Sequence, residues 1–157
     1  MHRGANLLAP ENTRAAAQAC IDLKADYVEV DVRTSKDGVM YVLHDTDVDR
    51  TTDGHGPLHK LMSAEVDTFD AGSWFDEKFK GERVPRLDAY LRWIKGKAKV
   101  YFDVKYADLP KLLELVHEVG MDDECFFWFE VPARNAYLRQ LPPHAAIKVN
   151  ASTPQDV

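Results

Sequence analysis

Glu29 and Asp31 stand two residues apart in the run YVEVDVR, and Asp103 and Lys105 repeat that spacing in VYFDVK. On a β-strand such pairs project from one face. Two neighbouring carboxylates admit two readings, a solvated strand face or a site that needs concentrated negative charge. The stretch around Asp103 and Lys105 is otherwise apolar enough to be buried, where a charge is costly unless paired or bound to metal. That pair is either a simple ion pair or, with Glu29 and Asp31, part of the oxygen ligand set that a hard cation such as Mg²⁺ or Ca²⁺ prefers.

The elements around these residues decide what else can reach them. Tyr27 to Arg33 and Val39 to Leu43 flank the turn signal Lys36-Asp37-Gly38, which predicts a hairpin. Antiparallel pairing then returns His44 opposite residues 29 to 31, the turn type deciding the register. A register that sets it against Val30 turns its side chain to the other face. Asp45 either orients His44 or caps the turn. His55 and His59 in a polar segment, His117 late in an amphipathic helix and His144 after two prolines read as surface residues without a role.

Elsewhere the chain alternates helix and strand. Residues 12 to 24 place Ala16, Ala17, Cys20 and Ile21 on one helical stripe, with Asn12 or Thr13 as N-cap. Residues 46 to 86 are irregular and polar, and a segment of this length inside a compact domain reads as a functional insertion. Leu87, Tyr90, Leu91 and Ile94 then have helical spacing, and Val100 to Val104 reads as a strand. Asp108 caps a helix stopped by Gly120, followed by an apolar strand at 125 to 129, a helix opened by Pro132 and a strand at 146 to 150. The later strands look like continuous apolar runs covered on both faces. The expected class is α/β, with about four parallel strands and a hairpin arm.

Composition bounds the function. At 157 residues, 45% of them hydrophobic, one domain spanning 1–157 with a real core is expected. A net charge of −6 and the absence of clustered Lys and Arg argue against a nucleic-acid partner. Arg3 and Lys105 are single cations, suited to a small anion. No stretch has the apolar length to span a bilayer, and the first residues do not read as a signal peptide, so the expectation is a soluble chain, with the cytoplasm preferred over the periplasm or secretion. Cys20 and Cys125 read as buried core residues. Oligomeric state is not legible.

Several motifs occur in order: HRG at 2 to 4, PENT at 10 to 13, EVD at 29 to 31, HD at 44 to 45, then RTTDGHGP and DAGSW through the insertion. Together they resemble the glycerophosphodiester phosphodiesterases. The resemblance implies a (β/α)₈ barrel with its site at the C-terminal ends of the strands. It implies that His2 and His44 are the acid and base pair, that Glu29, Asp31 and Asp103 hold a divalent cation, Mg²⁺ or Ca²⁺, and that Arg3 and Lys105 contact the substrate phosphate. The family motif on the later strand is usually Glu-x-Lys. Aspartate at 103 is one methylene shorter, so the metal sits closer to that strand or is reached through water.

The implied reaction is hydrolysis of a small glycerophosphodiester, such as glycerophosphocholine or glycerophosphoethanolamine, to glycerol 3-phosphate and an alcohol. Alternatives are a phospholipase C or sphingomyelinase D type enzyme, which would need an apolar membrane-facing rim, or an inert phosphate- and metal-binding module. The Trp74 and Phe75 cluster is either packing or a cation-π cage for a head group. Since HRG ends the first strand of such a barrel and barrels of this type run to about 250 residues, a piece of a longer reading frame is expected. His2 would then lack its anchoring strand, roughly three further strand and helix units would be absent, and open sheet edges would need cover.

Overall fold

Alternating β-branched and aromatic residues build the strands, and capped amphipathic segments build the helices between them. The computed structural model describes residues 1–129, Arg139 and residues 146–147. Thr13 opens α1 (Arg14–Asp22), its hydroxyl accepting from Ala16 N at 3.2 Å. β1 (Tyr27–Thr34) and β2 (Met40–Val42) form the hairpin, with Gly38 at φ +84° in the turn. A short α2 (Ser63–Val66) lies in the insertion, and α3 (Leu87–Ile94) follows it. β3 (Lys99–Tyr106) leads to α4 (Leu109–Val119), which Asp108 caps and Gly120 ends at φ +71°. β4 (Cys125–Phe129) and β5 (Ala146–Ile147) complete the sheet. The helix expected after Pro132, His144 and the end of the last expected strand lie outside the described residues.

Strand order is β2-β1-β3-β4-β5, with β1, β3, β4 and β5 parallel and β2 antiparallel to β1. Met1 uses the edge of β1 that β2 leaves open. Its ammonium donates to Tyr27 O at 3.0 Å, its carbonyl accepts from Glu29 N at 3.1 Å, and Gly4 N donates to Glu29 O at 3.2 Å. These are the bonds of a parallel bridge. The expectation that His2 lacks an anchor is therefore corrected, because the backbone on either side of it is tied to β1.

The two faces of the sheet differ. Val28, Val30, Val32, Val100, Phe102, Val104, Cys125 and Phe127 point to the helices and form the main core with Cys20, Leu91, Ile94, Leu112 and others. Phe102 stacks on Phe127 with ring centroids 5.1 Å apart. The opposite face carries Tyr101 stacked on Phe126 at 4.5 Å, with Tyr27 edge-on to Phe126. Further toward the C-terminal ends of the strands the same face becomes charged. The strands are thus not apolar on both faces as expected, since the period-2 alternation of β3 segregates Tyr101, Asp103 and Lys105 from Val100, Phe102 and Val104.

Residues 46–86 have a core of their own, in which Val48, Leu58, Val66, Ala71 and Val84 close over Tyr41 and Leu43 of the hairpin. In DAGSW, Asp70 accepts from the backbone amides of Gly72, Ser73 and Gly81 at 2.6–2.8 Å. Gly72 is required there, because a Cβ would fall 1.9 Å from Phe79 O. Trp74 donates to Ala71 O and packs edge-on against Phe75. The cluster holds the insertion together.

Candidate active site

Parallel register fixes the centre of the site. Asp31 lies directly opposite Asp103 and Glu29 opposite Tyr101, so the three carboxylates share the inner face. One oxygen from each of Glu29, Asp31 and Asp103 lies within 4.8 Å of the others. Both Glu29 and Asp31 are buried. Burial first, and then the charge of Asp31, pushes the Glu29 carboxyl up to about 7, against the backbone amide of Arg3, which donates to it.

Two cations balance the cluster. Lys105 Nζ lies 2.8 Å from Asp103 Oδ2 and 3.8 Å from Asp31 Oδ1. Arg3 Nε lies 3.6 Å from Asp31 Oδ2, and its guanidinium also donates to Glu11 at 3.1 Å. Arg3 sits at φ +51°, held by Asn12 N donating to its carbonyl at 3.0 Å. Asn12, itself at φ +58°, donates from Nδ2 to Asp31 Oδ2 at 2.8 Å and accepts from Asp31 N at 3.3 Å. Asparagine tolerates this left-handed backbone better than most residues. Buried Asp31 Oδ1 has no hydrogen bond among the described residues.

His44 arrives by a route other than strand pairing. Val32 opposes Val42 in the hairpin, so the continued register sets His44 against Val30, the arrangement that turns it away from the carboxylates. The strand stops at Val42 instead, and Arg33 Nε donates to His44 O at 2.6 Å. Asp45 Oδ1 lies 2.6 Å from His44 Nδ1, which settles its role as an orienting group. Arg50 then joins Asp45 at 2.5 Å to Glu11 at 2.7 Å. The hydrogen bond from Arg50, stronger than the opposing burial, holds Asp45 well below the usual carboxylate range. Burial works to raise Glu11, yet Arg50 and then Arg3 keep it low. A continuous line of charges therefore runs from His44 through Asp45, Arg50, Glu11 and Arg3 to Asp31. The side chain of His2 is exposed beside Arg3.

Comparison with known proteins turns on this arrangement. Residues 2–140 match the model of the glycerophosphoryl diester phosphodiesterase family. The chain belongs to that family. A glycerophosphodiester phosphodiesterase of Caldanaerobacter subterraneus is 48% identical over 86 residues, 55% of this chain and 35% of the relative. One from Bacillus subtilis is 36% identical over 115 residues, 68% of this chain and 39% of the relative. The crystal structure of a glycerophosphodiester phosphodiesterase from Agrobacterium tumefaciens superposes with a TM-score of 0.89 at 49% identity, covering 93% of this chain and 63% of that one. An Oleispira antarctica phosphodiesterase, solved with its product sn-glycerol-3-phosphate, gives 0.87 at 28% identity, covering 93% of this chain and 62% of that one. The chain thus spans less than two thirds of the length of each of these relatives, and its fold is that of part of a (β/α)₈ barrel.

Within the family fold, the predicted residues fall into three groups. Glu29, Asp31, Asp103, Lys105 and Arg3 converge on the inner face, His44 joins them through the ion-pair line, and His2 lies beside Arg3. Sequence reasoning did not assign Glu11, Asn12 and Arg50, although all three lie in the quoted motifs. A signal for Arg50 was present, as it is the one basic residue in the acidic segment DTDVDRTTD. The three carboxylates fit a hard cation, since they offer closely spaced oxygens, and the buried Asp31 Oδ1 has no hydrogen bond among the described residues.

Proposed function

We propose that this chain carries the residues that hydrolyse a glycerophosphodiester to glycerol 3-phosphate and an alcohol. The observation that carries the reading is the triangle of Glu29, Asp31 and Asp103 oxygens within 4.8 Å, flanked by Arg3 and Lys105. A phosphodiester anion repels an incoming hydroxyl and has a poor alkoxide leaving group. Hydrolysis therefore needs neutralised charge, a base and an acid. A divalent cation, Mg²⁺ or Ca²⁺, held by the three carboxylates would supply Lewis acidity toward a phosphoryl oxygen.

The chain's own groups do the rest. Arg3 and Lys105 bind the non-bridging oxygens and stabilise the charge that builds on them in the transition state. A water oxygen bonds to phosphorus as one histidine takes its proton. The bond from phosphorus to the ester oxygen breaks as the other histidine protonates the departing alkoxide. His44 is suited to either role because Asp45 engages Nδ1 and leaves the other ring nitrogen, Nε2, for the reacting proton.

The test is release of glycerol 3-phosphate from glycerophosphocholine and glycerophosphoinositol by the 157-residue chain, with Mg²⁺ or Ca²⁺, with chelator, and with His44→Ala. Turnover that requires metal and His44 is expected. Turnover that survives chelation or the substitution, or a folded chain that releases nothing with either ion, overturns the reading.

A further inference from the structure

A cavity opens where β1 and β3 end beside the insertion. It has a volume of about 340 Å³ and is lined by Arg33, Thr34, Thr46, Leu58, His59, Lys105 and Tyr106. It shares Lys105 with the carboxylate cluster, where Nζ meets Asp103 at 2.8 Å. It shares Arg33 with the histidine side of the site, where Nε holds the His44 carbonyl at 2.6 Å. The cavity therefore adjoins Lys105 of the carboxylate cluster and the Arg33 that holds the His44 backbone, and it is of the size of a small-molecule subsite.

Its lining has a definite chemistry. Leu58 is buried and forms an apolar wall. Thr34, Thr46, His59 and Tyr106 offer hydroxyls and an imidazole, while Arg33 and Lys105 bring positive charge. Among the described residues that line it, none is acidic, and Tyr106 is the one Phe, Tyr or Trp ring. A quaternary ammonium is recognised by several aromatic faces or by carboxylates. Trp74 and Phe75, the other aromatic candidates, pack within the insertion and do not line this cavity.

Resting on the hydrolytic reading above, we propose that this cavity receives the alcohol half of the diester and selects a hydroxylated alcohol without positive charge over a quaternary ammonium. The hydroxyl and imidazole groups exchange hydrogen bonds with the polyol, whereas a choline meets no carboxylate among the lining residues. His59 and Thr46, contributed by the insertion, are specificity residues.

The experiment offers the full chain an equimolar mixture of glycerophosphoinositol and glycerophosphocholine with Mg²⁺, and measures inositol and choline released at low conversion. Their ratio gives the ratio of kcat/KM. A preference for the inositol diester of about tenfold is expected, the effect of one or two discriminating polar contacts. His59→Glu and, independently, Thr46→Glu place a carboxylate in the cavity and shift the ratio toward choline. Release of both alcohols at equal rates, or a ratio that neither variant moves, overturns the cavity assignment and leaves hydrolysis standing. If the variants slow both diesters alike, the cavity holds the shared glycerol half and the proposal fails. Release of neither alcohol removes the hydrolytic reading and this inference with it.

Discussion

Asn12 offers the most direct test of how the site is held. Its side-chain amide donates to Asp31 Oδ2 at 2.8 Å and accepts from Asp31 N at 3.3 Å, and its own backbone is left-handed at φ +58°. Asn12→Ala removes a hydrogen bond to a buried carboxylate, about 1.5–3 kcal/mol, and puts alanine, which lacks the tolerance of asparagine for the left-handed region, in a conformation that costs about 1 kcal/mol or more. The longer bond to Asp31 N adds little. A loss of about 3 kcal/mol is expected, read as a lower urea midpoint at unchanged m in the metal-free chain. Asp31 also loses the group that aims its carboxylate, so the affinity for Ca²⁺ measured by calorimetry falls at least about tenfold, as for other groups that orient metal ligands. Asn12→Asp separates backbone from donor. It keeps a residue that tolerates φ above zero but sets a fourth carboxylate against Asp31, so its stability loss grows as pH rises from 5 to 8. If Asn12→Ala costs under about 1 kcal/mol and binds Ca²⁺ like the parent, Asn12 does not organise the cluster.

Three further outcomes follow from other contacts. Gly4→Ala destabilises by about 3 kcal/mol in thermal unfolding, because Gly4 has φ +76° and a Cβ would fall 2.7 Å from Ala16 Cβ; an unchanged midpoint would show that the loop between Arg3 and α1 repacks freely. Glu29 has its carboxyl pushed up from 4.5 to about 7 in the fold, so the folded chain keeps this proton longer than the unfolded one. The contribution of Glu29 to the stability of the metal-free chain is therefore full below about 4.5 and lost as pH rises through about 7, by about 3 kcal/mol, and Glu29→Gln should remove that part of the pH dependence in urea midpoints. Arg50→Ala, at a half-exposed residue, lowers stability by about 1 kcal/mol or less yet reduces kcat for glycerol 3-phosphate release, since it cuts the connection from Asp45 to Glu11. A kcat equal to the parent's would refute a positioning role for Arg50.

The part of the site that could be read from sequence is the part that obeys strand periodicity. Alternation alone put Glu29 with Asp31 and Asp103 with Lys105, and the parallel register then joined the pairs. The strands and helices on either side of residues 46–86 were legible for the same reason, through apolar spacing and caps at Thr13, Asp108 and Gly120, whereas the short α2 inside that segment was not. His44 was not, because β2 ends at Val42 and the position depends on a loop that no period describes. Asn12 and Arg50 act through side chains whose partners lie 19 and 39 residues away. Such contacts follow from tertiary placement of loops, and only the motif resemblance drew attention to their neighbourhood. The aromatic half of the inner face was misread as simple apolar burial, since Tyr101, Phe126 and Trp128 look like core residues until the face they share with Asp103 is known.

Charge explains why so many anions can be tolerated in one place. Glu29, Asp31 and Asp103 face Arg3 and Lys105, while Arg50 stands between Glu11 and Asp45. Three carboxylates exceed two cations by one charge, and burial together with the charge of Asp31 favours the protonated form of Glu29. A proton on Glu29 thus lowers the excess negative charge that burial penalises. A divalent cation would displace that proton and leave the group with one net positive charge. A phosphodiester carries one negative charge, so the loaded site would be complementary to substrate and to little else of similar size. The same balance accounts for the pairing of Lys105 with Asp103, where a carboxylate one methylene short of glutamate is brought to the cluster by a cation that also faces the cavity beside it. Replacing Lys105 would therefore disturb the metal group, the phosphate contact and the alcohol cavity together, whereas replacing His59 would disturb the cavity alone.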